Sequence, residues 1–452
     1  MFGQELKKMG IATAYRYIEK NPKDNLRKLM TWVDRIAGEG PDSFEEQRKV
    51  IWDILDHPES NMYQLIMRVI EEVDPEVVKT VFSNFFLNAA ILGWPKQEKL
   101  RAEYNCNIPW AILLDPTSAC NLHCTGCWAA EYGNKLNLTF DELDSIIEQG
   151  KELGIYFYIY TGGEPLVRKN DLIALCKKHS DCIFLSFTNA TLIDEAFADD
   201  MLRVKNFVPA ISVEGDMAAH DGRRGKGSYE KVEKAMKLLK EKKLPFGVSC
   251  CYTSANCDSI SSDEFYDWLV DKGVLFAWYF HYMPVGNDAA IDLLPTPEQR
   301  EYMYHRVREI RGLEGGKPIF AIDFQNDGEY VGGCIAGGRN YLHINPNGDV
   351  EPCVFIHYSS ANIKEVTLLE ALKQPLFMAY RDNQPFNNNH LRPCPMLENP
   401  EYLRNMVKKC NAKSTDLQSL EEVNHLCDKC TLYAHNWADV ADKLWEENKK
   451  DK

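Results

Sequence analysis

The stretch Trp110-Ala-Ile-Leu-Leu114-Asp115-Pro-Thr-Ser-Ala-Cys120-Asn-Leu-His-Cys124-Thr-Gly-Cys127-Trp128 decides how the rest of the chain is read. It opens on a short apolar run, Trp110–Leu114, that fits a buried strand ending at a proline turn. Three cysteines follow, with three and then two residues between them. Thiolates so spaced can wrap one metal centre from a single loop. They are one ligand too few for a closed 4Fe-4S cluster or a tetrahedral zinc site. An iron left open can take a small-molecule ligand. A zinc loop completed by His123 or a distant cysteine fits the spacing too, as does an electron-carrying cluster.

Downstream of this loop, β-rich runs recur at Tyr156–Tyr160, Ile183–Phe187, Phe207–Val213, Phe246–Tyr252 and Leu275–Phe280. Amphipathic helical segments separate them, for example Phe140–Leu153 and Tyr229–Leu239. Parallel strands need crossover connections, so the alternation predicts an α/β fold: a partial (β/α)6 TIM-like barrel with its site at the strand C-termini. We place this core at residues 106–315. Upstream, residues 1–105 read as a helical N-terminal module. Leu26, Leu29, Met30, Val33 and Ile36 fall at helical spacing before Gly38 and Gly40-Pro41, Ser43 and Glu46 form a capping box, and Asp74-Pro75 opens another helix. Thr80–Trp94 predicts a mostly buried helix closed by Gly93-Trp94-Pro95, with a membrane-surface helix as the alternative. No run reaches the ~18–20 apolar residues of a membrane span, so no transmembrane segment is expected. From 316 to 452 the pattern turns irregular and holds six cysteines. It predicts a small, irregular, cysteine-rich domain held by a staple other than a hydrophobic core.

Composition narrows the function. With 52 basic and 67 acidic side chains and a net charge of −15, the chain lacks the positive field that nucleic acid or an anionic membrane requires. At 45% hydrophobic and 26% charged residues it is neither disordered nor fibrous. Fifteen cysteines, an odd count, fit free thiols and metal ligands better than a disulfide framework. The first twenty residues lack the apolar run of a signal peptide, which points to a reducing, cytoplasmic setting.

The cysteine triplet, with Trp128 after it, resembles the signature of the radical S-adenosylmethionine (SAM) enzymes. Further motifs carry the resemblance in order along residues 108–290. Gly162-Gly163-Glu164-Pro165 is similar to the family's glycine-rich turn, whose backbone meets the SAM amino group; glycine permits that close approach. Thr188-Asn189-Ala190-Thr191 resembles its third-strand turn, with Ala190 where glycine is commoner. Ser212-Val213-Glu214-Gly215 looks like the ribose-binding segment. The run His220–Gly227 resembles the loop whose arginine pairs with the SAM carboxylate, a task suited to a planar guanidinium. Arg224, directly before Gly225, fits that place better than Arg223. The resemblance implies a 4Fe-4S cluster on Cys120, Cys124 and Cys127, and SAM held by Gly162, Gly163, Glu164, Asn189, Ser212, Glu214 and Arg224. It also implies reductive SAM cleavage to a 5′-deoxyadenosyl radical that takes hydrogen from a substrate, with an electron donor such as flavodoxin or ferredoxin.

A second cysteine set follows. Asn347-Gly348 between apolar runs is a hairpin signal that would bring Cys334 near Cys353. This region resembles the opening of the SPASM or shorter twitch extension, which binds auxiliary iron–sulfur clusters in many maturases. The later cysteines, Cys394, Cys410, Cys427 and Cys430, lack the tight SPASM run. The resemblance therefore implies one auxiliary 4Fe-4S cluster on Cys334, Cys353, Cys394 and Cys430 or Cys427. A zinc site on Cys394, Cys427 and Cys430 is the alternative. Cys106, Cys176, Cys182, Cys250, Cys251 and Cys257 are expected to be buried thiols. His281, Tyr282, Tyr158 and Tyr160 either face a substrate or serve structure. Three functions stay open: a peptide or protein maturase, which is favoured; a radical SAM enzyme acting on a lipid or other small molecule, which the helical N-terminus fits better; and a non-catalytic iron–sulfur carrier or zinc-stabilised binding protein.

Overall fold

Short β-branched and aromatic runs pair in sequence order because each is followed by a helix that carries the chain back across the sheet. The computed structural model describes residues 22–37, 45–313 and 315–450. The first twenty residues, the stop at Gly38 to Pro41 and the Ser43 capping box lie outside them. Strands β1 (Ala111–Leu114), β2 (Phe157–Tyr160), β3 (Ile183–Thr188), β4 (Phe207–Ser212), β5 (Gly247–Tyr252) and β6 (Phe276–His281) are parallel, each paired with the next. This is the partial (β/α)6 barrel expected from the sequence. The sheet continues past it. β7 (Phe320–Asp323) pairs parallel with β6, β8 (Tyr341–Ile344) pairs parallel with β1, and β9 (Val350–Glu351) turns back antiparallel on β8. The order is β7-β6-β5-β4-β3-β2-β1-β8-β9. A boundary at 315 therefore falls between strands of one sheet. The β8–β9 turn is the expected Asn347-Gly348 hairpin, with Gly348 at φ +95°.

Two apolar layers follow from the strand alternation. Ile112, Leu114, Tyr158, Tyr160 and Phe184 face outward under helices such as Phe140–Glu152, which starts in a Thr139–Glu142 capping box. Leu113, Ile159, Leu185 and Ala210 face the lumen and belong to a second cluster that runs into the C-terminal region. That region corrects the expectation of an irregular domain without a core. Helices Pro375–Asn383, Pro400–Cys410 and Val423–Lys450 bury Tyr380, Leu403, Val407, Leu426, Trp437 and Leu444 in the same apolar cluster as the lumen residues. Its amphipathic spacing had been masked by proline, asparagine and cysteine between the helices.

The N-terminal side holds a second correction. Gly93-Trp94-Pro95 does not close the helix there. The α-helix Pro75–Phe82 passes into a π-helical stretch, Ser83–Gly93, and on into Trp94–Tyr104. Pro95 sits in the first turn of that last piece and, having no N–H, gives no bond back to the π-helical stretch before it. A Cβ at Gly93 would collide with the Gly154 carbonyl, so glycine allows the close packing. Nor is the helix mostly buried. Asn84 and Asn88 point inward and donate to the carbonyls of Ser180, Asp181 and Cys182, while Phe82, Phe86, Ile91 and Trp94 are exposed, Phe86 by 49%. By length and composition, Pro75–Tyr104 is long and apolar enough to cross a membrane, the sole such helix among the described residues.

Candidate functional site

The cysteine loop leaves the C-terminal end of β1 and is strapped down by its neighbours. Gly163 N–H donates to the Thr117 carbonyl at 3.0 Å and Glu164 N–H to Ala119 at 2.8 Å. A Cβ on Gly163 would fall 2.5 Å from the Ser118 carbonyl oxygen and nearer still to that of Ala119, and Gly162 sits at φ +103° against Thr117. Both glycines are thus required for the β2 turn to touch the cysteine loop. Glu164 is buried and turned away from solvent. Its carboxylate accepts from Leu166 N–H, the Thr188 hydroxyl and Asn189 N–H, tying the β2 turn to the β3 turn. Asn189 in turn donates to the Asn121 side chain at 2.9 Å, inside the cysteine loop. Ala190 adopts φ +60°, the left-handed conformation that explains why glycine suits this place better.

Cys120, Cys124 and Cys127 are half-buried and free of disulfides. Burial pushes the Cys120 thiol up to about 11, and the other two cysteines add to that by charge. Such a thiol stays protonated until a cation takes it, and metal binding deprotonates it. Leu122 N–H points at Cys120 Sγ at 3.5 Å, the type of N–H···S bond that tunes an iron–sulfur cluster. The donor set fits a 4Fe-4S cluster. His123, the possible zinc ligand, has its Nδ1 on the Leu122 carbonyl at 2.7 Å.

Beside this loop, Arg224 reaches to 3.9 Å from Cys124 Sγ. Glu214, expected at the ribose, is fully buried and grips both arginines: Oε1 meets Arg224 at 2.6 Å and Oε2 meets Arg223 at 2.7 Å. The two guanidinium groups hold its carboxyl below the usual range despite burial. Glu214 is therefore what aims Arg224 at the cysteine loop. Ser212 ends β4 on its lumen face, half-buried, at the same corner.

Across the lumen, Cys334, Cys353 and Cys394 line one cavity of about 60 Å³, together with Met283, Phe324 and Tyr341. Tyr341 donates its hydroxyl hydrogen to Cys353 Sγ at 2.7 Å. Met396 and Leu397 N–H groups lie 3.3 and 3.4 Å from Cys394 Sγ, and Phe355 N–H 3.5 Å from Cys353 Sγ. Cys353 is buried, Cys334 and Cys394 are half-buried, and three cysteines on one cavity with N–H donors at two of their sulfurs fit an iron–sulfur cluster. Cys427 and Cys430, one turn apart on Val423–Lys450, are fully buried behind this cavity and do not line it; Cys427 Sγ lies 3.2 Å from the Pro400 carbonyl.

A polar set that sequence reading missed joins the two cysteine regions. Asp115, His343 and Glu351 are all fully buried. His343 Nε2 lies 3.0 Å from Asp115, off the hydrogen-bonding direction, and His343 Nδ1 lies 2.6 Å from Glu351. The two carboxylates raise His343 to about 10 against its burial, so it carries a positive charge. Glu351 also accepts from Tyr132, Asn345 and Thr415. Trp128, next to Cys127, lies edge-on against His343 and against Phe355, two residues beyond Cys353.

Other candidates resolve as structure. His281 is buried between the Tyr282 carbonyl and the Tyr433 hydroxyl, and burial holds it neutral. Tyr158 and Tyr160 point outward, Tyr158 to the carbonyls of Ile147 and Ile155. Tyr282 packs on Gly126 in the cysteine loop. Cys106, Cys176, Cys182, Cys250 and Cys257 are buried thiols as expected, but Cys251 is half-buried on the lumen face.

Known proteins place these features in context. The radical SAM superfamily matches residues 114–255, and the SPASM iron–sulfur cluster-binding domain matches 334–431. The AdoMet-dependent heme synthase of Nitratidesulfovibrio vulgaris is 25% identical over 315 residues, spanning 63% of this chain and 84% of the relative. The PqqA peptide cyclase of Streptomyces rochei is 26% identical over 291 residues, 62% of this chain and 77% of the relative. Streptococcus suis SuiB, solved with its precursor peptide SuiA, shares the fold with a TM-score of 0.54 at 18% identity, over 68% of this chain and 72% of that one.

Proposed function

From the premise that this chain is a radical SAM enzyme carrying a SPASM domain, we propose that it is a maturase of a peptide or protein. The observation that carries the proposal is the convergence of Cys334, Cys353 and Cys394 on one cavity across the lumen from the Cys120–Cys127 loop. The likeness to a PqqA peptide cyclase supports it. In this reading residues 106–315 form the core and 316–452 the auxiliary-cluster domain, with Cys427 or Cys430 as the fourth ligand. The cofactors are SAM and 4Fe-4S clusters. Cys120, Cys124 and Cys127 would hold the cluster, which when reduced would supply the electron for cleavage of SAM to methionine and a 5′-deoxyadenosyl radical. The chain's own part is to orient and to exclude. Arg224, aimed by Glu214, takes the SAM carboxylate; the Gly162-Gly163 turn offers backbone to its amino group; Asn189 and Ser212 edge the nucleoside. The apolar lumen keeps water from the radical. The enzyme works in the cytoplasm with flavodoxin or ferredoxin as electron donor.

The test is anaerobic incubation with SAM, reductant and each short peptide encoded beside the gene. A peptide that loses hydrogen atoms by mass, in step with 5′-deoxyadenosine, is expected. Turnover of SAM with every such peptide unchanged would contradict the maturase reading. It would favour a small-molecule substrate, the reading that the likeness to a heme synthase supports.

A further inference from the structure

Which substrate group meets this site is written in the lumen, an inference that rests on the radical SAM reading above. Along β5 and β6 the outward residues Cys250, Tyr252, Ala277 and Tyr279 are buried, whereas the inward Cys251, Trp278 and Phe280 are only half-buried. A filled barrel would bury both sets. Phe187 from β3 reaches across to Trp278 and Phe280, with ring centroids 5.6 Å apart in each pair. Trp278 and Phe280 stack at 5.5 Å, and Phe324, just beyond β7, meets Phe280 at 5.3 Å. These four rings form a floor across the lumen.

The floor spans the two cysteine regions. Phe324 also lines the cavity of Cys334, Cys353 and Cys394. At the other end Cys251, which pairs with Phe280 across β5 and β6, lies close to Arg223, the neighbour of Arg224. The floor itself carries no charge. The nearby charges are gathered in two buried sets away from these rings, Glu214 with Arg223 and Arg224, and His343 with Asp115 and Glu351. The Trp278 indole N–H is buried with no acceptor.

We propose that Phe187, Trp278, Phe280 and Phe324 seat the reacting group of the substrate, and that this group is uncharged and flat: an aromatic side chain of the peptide, whose π face or polar edge can accept the Trp278 N–H. Rings favour offset and edge-on partners, which a flat group supplies. A charged group seated on these rings would be desolvated with no charged partner among them.

The test uses the reconstituted holoenzyme with SAM present, so that the arginines are occupied, and two fluorescent probes with one ring system. N-phenyl-1-naphthylamine is neutral, and 1-anilinonaphthalene-8-sulfonate adds a sulfonate. The neutral probe should bind at least tenfold tighter than the charged one. Phe280→Ala should weaken it at least tenfold, and Phe280→Leu, which keeps the bulk, by only a few fold. Circular dichroism and iron content establish that both variants are folded and loaded. Phe86→Ala, on the exposed helix face, should change nothing. Equal binding of the two probes, unchanged binding in Phe280→Ala, or loss in Phe86→Ala would overturn the proposal. Probe binding needs no turnover. Its failure therefore leaves SAM cleavage standing, and a failure to cleave SAM with the probe still bound would sink only the functional reading.

Discussion

Replacing His343 with glutamine tests the buried charge set most sharply. In the native chain the imidazolium lies between Asp115 and Glu351, with all three side chains fully buried. Asp115 has no hydrogen-bond donor, so the charge of His343 is what offsets its burial. Removing one partner of such a buried set costs about 3–5 kcal/mol. Unfolding entropy is about 2.1 cal/mol/K per residue near 60 °C, so for 452 residues His343→Gln should lower the melting temperature by about 3–5 °C. The effect has a sign with pH. The folded state raises His343 from its ordinary 6.5 to about 10. Its stabilisation is therefore complete below about pH 6.5 and is lost as the pH climbs through 10. The gap between native and variant melts, scanned anaerobically at one rate, should be widest at pH 6 and narrow towards pH 9.5. Adding Asp115→Asn to the variant should recover at least half of the loss, because Asp115 is then neutral and Glu351 keeps its bonds from Tyr132, Asn345 and Thr415. A single variant that melts within 1 °C of the native chain at pH 6 would show that the His343 charge does not offset the burial of Asp115. So would a double variant as unstable as the two losses added.

Three further outcomes are expected. Changing Cys334, Cys353 and Cys394 together to alanine should remove about four irons per chain by anaerobic assay and leave the SAM-binding cluster; loss of zinc with no loss of iron would contradict the assignment. Gly163→Ala puts a methyl group against the carbonyls of Ser118 and Ala119, so 5′-deoxyadenosine formation should fall at least tenfold while helical content by circular dichroism stays near native. Arg224→Lys keeps the charge but loses the planar fork, so equilibrium SAM binding should weaken about tenfold; an unchanged affinity would move the carboxylate contact elsewhere.

Much of this architecture is legible in the sequence because it is local. Each of the first six strands is a compact β-rich run, and each cysteine set is marked by its own spacing or by a turn such as Asn347-Gly348. What escapes local reading depends on residues far apart in the chain. β7 and β8 are four-residue strands that become strands only by adding to the two edges of the sheet. Asp115 and His343 meet because β8 lies beside β1, and nothing near either residue signals it. The inward asparagines of Ser83–Gly93 read as flaws in an apolar helix until the carbonyls of Ser180, Asp181 and Cys182 appear opposite them. Glu214 shows the same limit at the site: its motif is local, but its grip on Arg223 and Arg224 is tertiary.

The chain is expected to cleave SAM at the Cys120, Cys124 and Cys127 loop. Anaerobic incubation of the reconstituted protein with SAM and dithionite tests it most directly. 5′-Deoxyadenosine and methionine should form in equal amounts, with none from Cys124→Ala. No 5′-deoxyadenosine from a fully iron-loaded chain, or undiminished product from that variant, would contradict it.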